Sequence, residues 1–257
     1  MRLRSTSLPV MFLLVGLAAA GVAVAQDNPP ADGFNVASSD ARAIELADSV
    51  MAAMGGRKAW DATRYLSWNF FGMRTHLWDK WTGDLRYEQG DSLVLMNINS
   101  REGRAFKGGA ELEGEELAKA LEGGYRAWVN DSYWLLMPYK LKDSGVTLRY
   151  VGEQAMDDGR AADVLQLTFE DVGVTPENKY HVFVAKDSGL VEQWAFFRSA
   201  SDEAPGFKTP WAKWTRHGNV LLSGDRGQRQ LSDITVYENI DRSAFDNPEP
   251  TDRSAWR

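Results

Sequence analysis

Three histidines, His76, His181 and His217, are the only imidazoles in the chain, and it has no cysteine. A zinc site needs three or four N, O or S donors on one ion, and compact sites place them at short spacings such as H-E-x-x-H. No such spacing occurs here. Asp79 follows His76 by three residues in a stretch that reads as a strand, where side chains three apart point to opposite faces. A hydrolytic or metal site would therefore be assembled from distant residues, with His76, Asp79 and His181 as the candidates. Glu115-Glu116 and Asp157-Asp158 offer paired carboxylates for acid–base work, but each has a local explanation. The first pair opens a helix, where acids suit the positive dipole end, and the second leads into Gly159 as a turn. Ser144 and Ser188 lie in matching turns, Lys142-Asp143-Ser144-Gly145 and Lys186-Asp187-Ser188-Gly189, in which glycine supplies the left-handed residue. There is no G-x-S-x-G elbow and no phosphate-binding loop. The expectation is a protein that is not an enzyme and uses no metal and no cofactor.

Aromatic rings are the richer signal. The chain carries 10 Trp, 8 Tyr and 11 Phe, and Trp is costly to leave in water, so these rings fill a core, line a pocket or form a contact surface. Trp68, Phe70, Trp78, Trp134, Phe183, Trp194 and Phe196 are the candidate lining of an apolar site. Trp211-x-x-Trp214 is a possible stacking platform for sugars, and Met51, Met54 and Met137 suit an adaptable lid.

The elements that would hold these rings are mostly strands. Tyr65 to Gly72 alternates Leu66, Trp68 and Phe70 against Ser67 and Asn69, and Leu165, Leu167 and Phe169 alternate against Gln166 and Thr168. A turn at residues 80–83 sets Trp78 beside Leu85 and Leu77 beside Arg86. A turn at residues 186–189 sets Ala185 beside Leu190, Phe183 beside Glu192 and His181 beside Trp194. About ten short strands joined by tight turns make an antiparallel meander whose twist curls it. One helix starts after Ser38 or Ser39 and ends at Gly55-Gly56. A second helical interval runs from Glu113 to about Met137 with Leu117, Leu121, Tyr125, Trp128 and Leu135 on one stripe, and Gly123-Gly124 is expected to split it. The fold class is mainly β (α+β): a curved antiparallel sheet forming an open half-barrel, with two to three helices across its mouth.

Arg2 and Arg4 precede an apolar run that ends in Ala23-Val24-Ala25, the pattern of a secretory signal peptide cleaved after Ala25. The expected organisation is a signal peptide at 1–25, a flexible leader at 26–37, the half-barrel domain at 38–240 and a loosely packed tail at 241–257. Export without cysteine leaves burial alone to hold the fold. A formal charge of −7 without a basic block makes nucleic acid a poor partner.

Trp78-Asp79 with Gly83 to Glu88, the hairpin from Tyr180 to Val191, and Asn130 to Leu141 (NDSYWLLMPYKL) resemble the exported lipoprotein-carrier superfamily (LolA, LolB and relatives). The resemblance implies an unclosed barrel with helices across its mouth and an apolar cavity. It implies a periplasmic or secreted binding protein for a lipid, acyl chain or lipoprotein, with an envelope protein as a possible partner. An envelope sensor module and a hydrolase with a dispersed site remain as alternatives.

Overall fold

The computed structural model describes residues 27–251 and Trp256, so the signal peptide and its cleavage point lie outside the described residues. Among the described residues no helix is long and apolar enough to cross a membrane. Helices α1 (Ala41–Ala53) and α2 (Arg57–Ala62) come first. A meander follows: β1 (Tyr65–Phe70), β2 (Arg74–Asp79), β3 (Asp84–Gln89), β4 (Ser92–Asn97), β5 (Gly103–Lys107) and β6 (Ala110–Glu111). Helix α3 (Gly114–Leu136) and a 3-10 turn at Met137–Lys140 lead to a second meander. Its strands are β7 (Val146–Ala155), β8 (Ala161–Phe169), β9 (Lys179–Ala185), β10 (Val191–Phe197) and β11 (Phe207–Pro210). The chain closes with the hairpin β12 (Thr215–His217) and β13 (Val220–Leu222), then β14 (Asp225–Arg226), β15 (Arg229–Tyr237) and α4 (Ser243–Asp246).

The half-barrel forms, built from two antiparallel sheets. An eight-stranded sheet runs β14-β15-β1-β2-β3-β4-β5-β6 and a five-stranded one runs β11-β10-β9-β8-β7. They meet at a seam where Ala212 bridges to Asp225 and the Thr209 hydroxyl donates to the Arg226 carbonyl at 2.9 Å. The far edges, β6 and β7, do not pair, so the barrel stays open. Arg226 reinforces the seam: its guanidinium lies 3.4 Å above the Trp211 ring and donates to the carbonyl of Trp134 at 2.7 Å, near the end of α3.

The inner faces share one core with α1 and α3. Leu66, Trp68 and Phe70 of β1, Leu165 and Leu167 of β8, and Val50 of α1 all belong to it. The β2–β3 register is as expected, with Trp78 opposite Leu85 and Leu77 opposite Arg86. The β9–β10 register is not. Val184 pairs with Val191, but Glu192 is bulged out, and beyond it Phe183 opposes Gln193 and His181 opposes Ala195. One extra residue turns the rest of a strand over. Trp194 therefore faces the core with Val182, whereas Phe183 packs on the outer side with Ala162, Ala195 and Phe197.

Five further expectations are corrected. α3 is one continuous helix: a Cβ at Gly124 would lie 3.2 Å from Val94 Cγ1, so the glycine lets α3 press onto β4. That packing outweighs a helix cost of about 1 kcal/mol per glycine. The leader is docked, with Phe34 buried and Asn35 N–H bonded to the Val146 carbonyl at 3.1 Å, which covers part of the β7 edge. The described part of the tail is docked too. Ala244 and Phe245 bury against Tyr65 and Leu77 on the outer face of β1 and β2, and Arg86 donates to the carbonyl of Asn247 at 2.8 Å. Finally, Trp211 is fully buried and Trp214 donates to the Val191 carbonyl at 2.9 Å, so the pair is no exposed platform. Met51, Met54 and Met137 are likewise core residues rather than a lid.

Candidate binding cavity

α3 presents two working faces. Gly124, Ala127, Asp131 and Leu135 recur at helical spacing and are all buried. Asp131 is the anomaly, a carboxylate in an apolar interface, and it is satisfied from β2. Arg74 donates to it through Nε at 2.6 Å and a terminal nitrogen at 2.7 Å, and His76 Nε2 lies 2.7 Å away. Burial pushes the Asp131 carboxyl up, but these donors outweigh it and hold the group below the ordinary carboxylate value. Burial likewise drives His76 below the usual imidazole value, only partly opposed by Asp131. The neutral ring stacks on Trp68 at 4.7 Å. This cluster anchors the helix.

The other face borders a hollow. Tyr125, Trp128, Val129, Ser132 and Tyr133 of α3 form one wall of a cavity of about 320 Å³. Phe169 at the end of β8, Tyr180 of β9, Val146 of β7 and the loop residues Val172 and Val174 form the other. Lys140, Asp143 and Ser144 stand at its rim, and Lys140 pairs with Asp143 there, each about two-thirds buried. The volume falls at the lower end of the 300–1,000 Å³ usual for small-molecule sites. Most of the wall is apolar or aromatic; two polar atoms of its residues, the Tyr133 hydroxyl and Trp128 Nε1, are buried away from the hollow and have no protein hydrogen-bond partner. Burial, with smaller contributions from Tyr180 and Asp143, pushes the Tyr133 phenol well above its usual value. Burial takes Tyr180 up to about 12. Both hydroxyls stay protonated at neutral pH and can donate.

Of the seven rings singled out in the sequence, Trp134 lines this hollow. Trp194 lies one layer behind it, stacked on Tyr180 at 5.1 Å and edge-on to Trp134 at 5.0 Å. Trp78 is also behind the wall, edge-on to Trp128 at 5.3 Å, and Phe70 meets Trp134 at 6.3 Å. Phe196 stacks on Phe207 at 5.0 Å beside Tyr180. Trp68 is sealed in the solid core, and Phe183 is on the far side of the sheet. The lining residues passed over were Tyr133, Tyr180, Val172 and Val174. Tyr125 and Trp128 on the helical stripe, and Phe169 on the apolar face of its strand, carried the available signal.

His76, Asp79 and His181 are not brought together. His76 is held by Asp131, Asp79 receives Arg64 at 2.8 Å, and His181 faces Gln166 at 3.4 Å. Among the described residues no group of His, Asp and Glu is placed to hold a metal ion.

These features define an open antiparallel half-barrel with an aromatic-walled hollow beside its long crossing helix. No family model matches the chain, and no curated protein matches it. Among solved structures it is similar to a DUF1329 family protein from Desulfovibrio piger, at 12% identity and a TM-score of 0.44, over 80% of this chain and 97% of that one. It is also similar to MucB, at 18% identity and a TM-score of 0.27, over 72% of this chain and 66% of that one. A third similarity is to the MucA/MucB complex of Pseudomonas aeruginosa, at 17% identity and a TM-score of 0.26, over 67% of this chain and 58% of that one. At these TM-scores the likenesses lend no weight to a shared function.

Proposed function

We propose that this protein is an exported binding protein that holds an apolar ligand between α3 and the five-stranded sheet and performs no covalent chemistry. The observation that carries this reading is the aromatic-walled cavity of about 320 Å³ between α3 and the five-stranded sheet. Apolar burial supplies the affinity, at about 0.8 kcal/mol per methylene before ordering costs. The residues with catalytic potential are each engaged in separate structural contacts, which favours binding over turnover. The basic, apolar and A-x-A segments at the N-terminus support export.

Titration with N-phenyl-1-naphthylamine tests the proposal. The probe is expected to brighten on binding and to quench emission from the tryptophans in the wall. Val174→Trp, on the half-buried loop, fills the hollow and should abolish the signal while the thermal unfolding midpoint stays within a few degrees. A wild-type protein that leaves the probe dark, or a filled variant that binds it equally well, rules the cavity out as the binding site.

A further inference from the structure

We infer that the ligand is a compact, rigid aromatic molecule of about two fused rings, and not a flexible chain. This rests on the cavity being the binding site and adds to it a ligand class that departs from the acyl chain implied by the sequence resemblance.

The composition of the wall is the first reason. Six of its residues are aromatic: Tyr125, Trp128, Tyr133, Trp134, Phe169 and Tyr180. Among the described residues its aliphatic members are all valines, with no Leu, Ile or Met. Sites that follow a flexible ligand through many shapes use unbranched, adaptable side chains such as Met. This wall has none of them.

The second reason is rigidity. The wall rings are braced by other rings. Tyr180 is stacked on Trp194 with the two planes 1° apart, Trp134 is stacked on Phe207 at 5.9 Å, and Trp128 meets Trp78 edge-on. Phe169 meets Tyr180 edge-on at 5.7 Å and Tyr133 at 6.1 Å. Interlocked side chains of this kind keep one shape, which suits a ligand that has one shape too.

Size follows from volume. An apolar cavity of about 150 Å³ takes one benzene, so about 320 Å³ has room for roughly a dozen heavy atoms, two fused rings with a substituent. A chain with the same number of atoms must freeze its rotors to lie in so small a volume, whereas a fused ring has none to freeze. Each ring-on-ring contact adds roughly two- to tenfold in affinity beyond the area buried. A polar substituent belongs at the rim, beside Lys140 and Asp143.

The test compares 2-naphthol, decahydro-2-naphthol and 1-decanol by isothermal titration calorimetry. All three carry one hydroxyl and the same number of heavy atoms. The wild type should bind 2-naphthol about tenfold more tightly than 1-decanol, although the chain is the more hydrophobic, with decahydro-2-naphthol between them. Phe169→Leu and Tyr125→Leu each exchange a wall ring for an adaptable aliphatic side chain. Each should narrow the preference for 2-naphthol over 1-decanol by roughly three- to tenfold. Leucine is a good helix former, so Tyr125→Leu on α3 keeps the test open should Phe169→Leu fail to fold. An unchanged unfolding midpoint marks an intact variant. The inference is overturned if 1-decanol or decahydro-2-naphthol binds the wild type as tightly as 2-naphthol, or if the preference is unmoved in an intact variant. Binding of N-phenyl-1-naphthylamine that Val174→Trp blocks would then leave the cavity reading standing. If neither that probe nor any of the three alcohols binds, both fall together.

Discussion

Asp131 of α3 lies 2.7 Å from His76 Nε2 and 2.6 Å from Arg74 Nε, so one buried carboxylate ties the crossing helix to β2. The same helix supplies a wall of the cavity through Trp128 and Tyr133. Anchor and wall are thus neighbouring faces of one element, and loosening the first displaces the second.

Asp131→Ala removes the carboxylate and leaves Arg74 and His76 without their partner. Breaking a buried pair from one side costs about 3–5 kcal/mol. For a domain of this size that lowers the unfolding midpoint by about 10 °C, at roughly 2–4 °C per kcal/mol. Differential scanning calorimetry checks the value, and naphthylamine affinity should fall with it. An unchanged midpoint would show that the helix is held by its apolar contacts alone.

Acidification should destabilise the fold in two stages. The folded pKa of His76 lies below its ordinary 6.5, so the unfolded chain takes up a proton first. Stability from this group is full above pH 6.5 and declines as pH falls toward the folded value. Asp131 is also lowered from 3.8, so its contribution persists above that value and disappears as pH drops through the folded pKa. Urea midpoints measured between pH 8 and pH 4 should fall with decreasing pH, beginning near 6.5. His76→Gln should reduce the first stage, leaving the part contributed by His181 and His217, which burial also lowers. A wild-type profile that is level from pH 8 to 5 contradicts the assignment.

Gly145 sits at φ +72°, and a Cβ there would press on the Glu170 carbonyl and lie 2.6 Å from Val172 Cγ1. Gly145→Ala combines left-handed strain of about 1–2 kcal/mol with a backbone clash. A total loss of about 2–3 kcal/mol is expected by urea denaturation. Val172 and the flanking Ser144 and Val146 all line the cavity, so probe affinity should decline as well.

Phe245 is buried against Tyr65 and Leu77 on the outer face of the eight-stranded sheet. Phe245→Ala should cost about 3–5 kcal/mol, as for other large-to-small changes of buried aromatics. Chemical denaturation measures it, and cavity probe affinity should be unaffected because the site lies inside the barrel. A loss below 1 kcal/mol would mean that the tail is not an integral part of the fold.

The sequence determined the strands and most of their faces. Alternation is local, so Leu66, Trp68 and Phe70 could be assigned to one side, as could Leu165, Leu167 and Phe169, and both sets face the core. The β2–β3 register followed from its turn. The tertiary structure decided the rest. The extra residue at Glu192 turned Trp194 inward and left Phe183 outside, because a bulge forms where neighbouring strands and loops demand it and carries no reliable signature of its own. Asp131 found His76 across 55 residues of chain, a pairing that exists only once α3 lies on the sheet. Which rings border a void is equally non-local. Trp134 and Trp68 are the same residue type, yet one faces the hollow and the other fills the solid core, because the space is defined by how α3 and the five-stranded sheet fail to close.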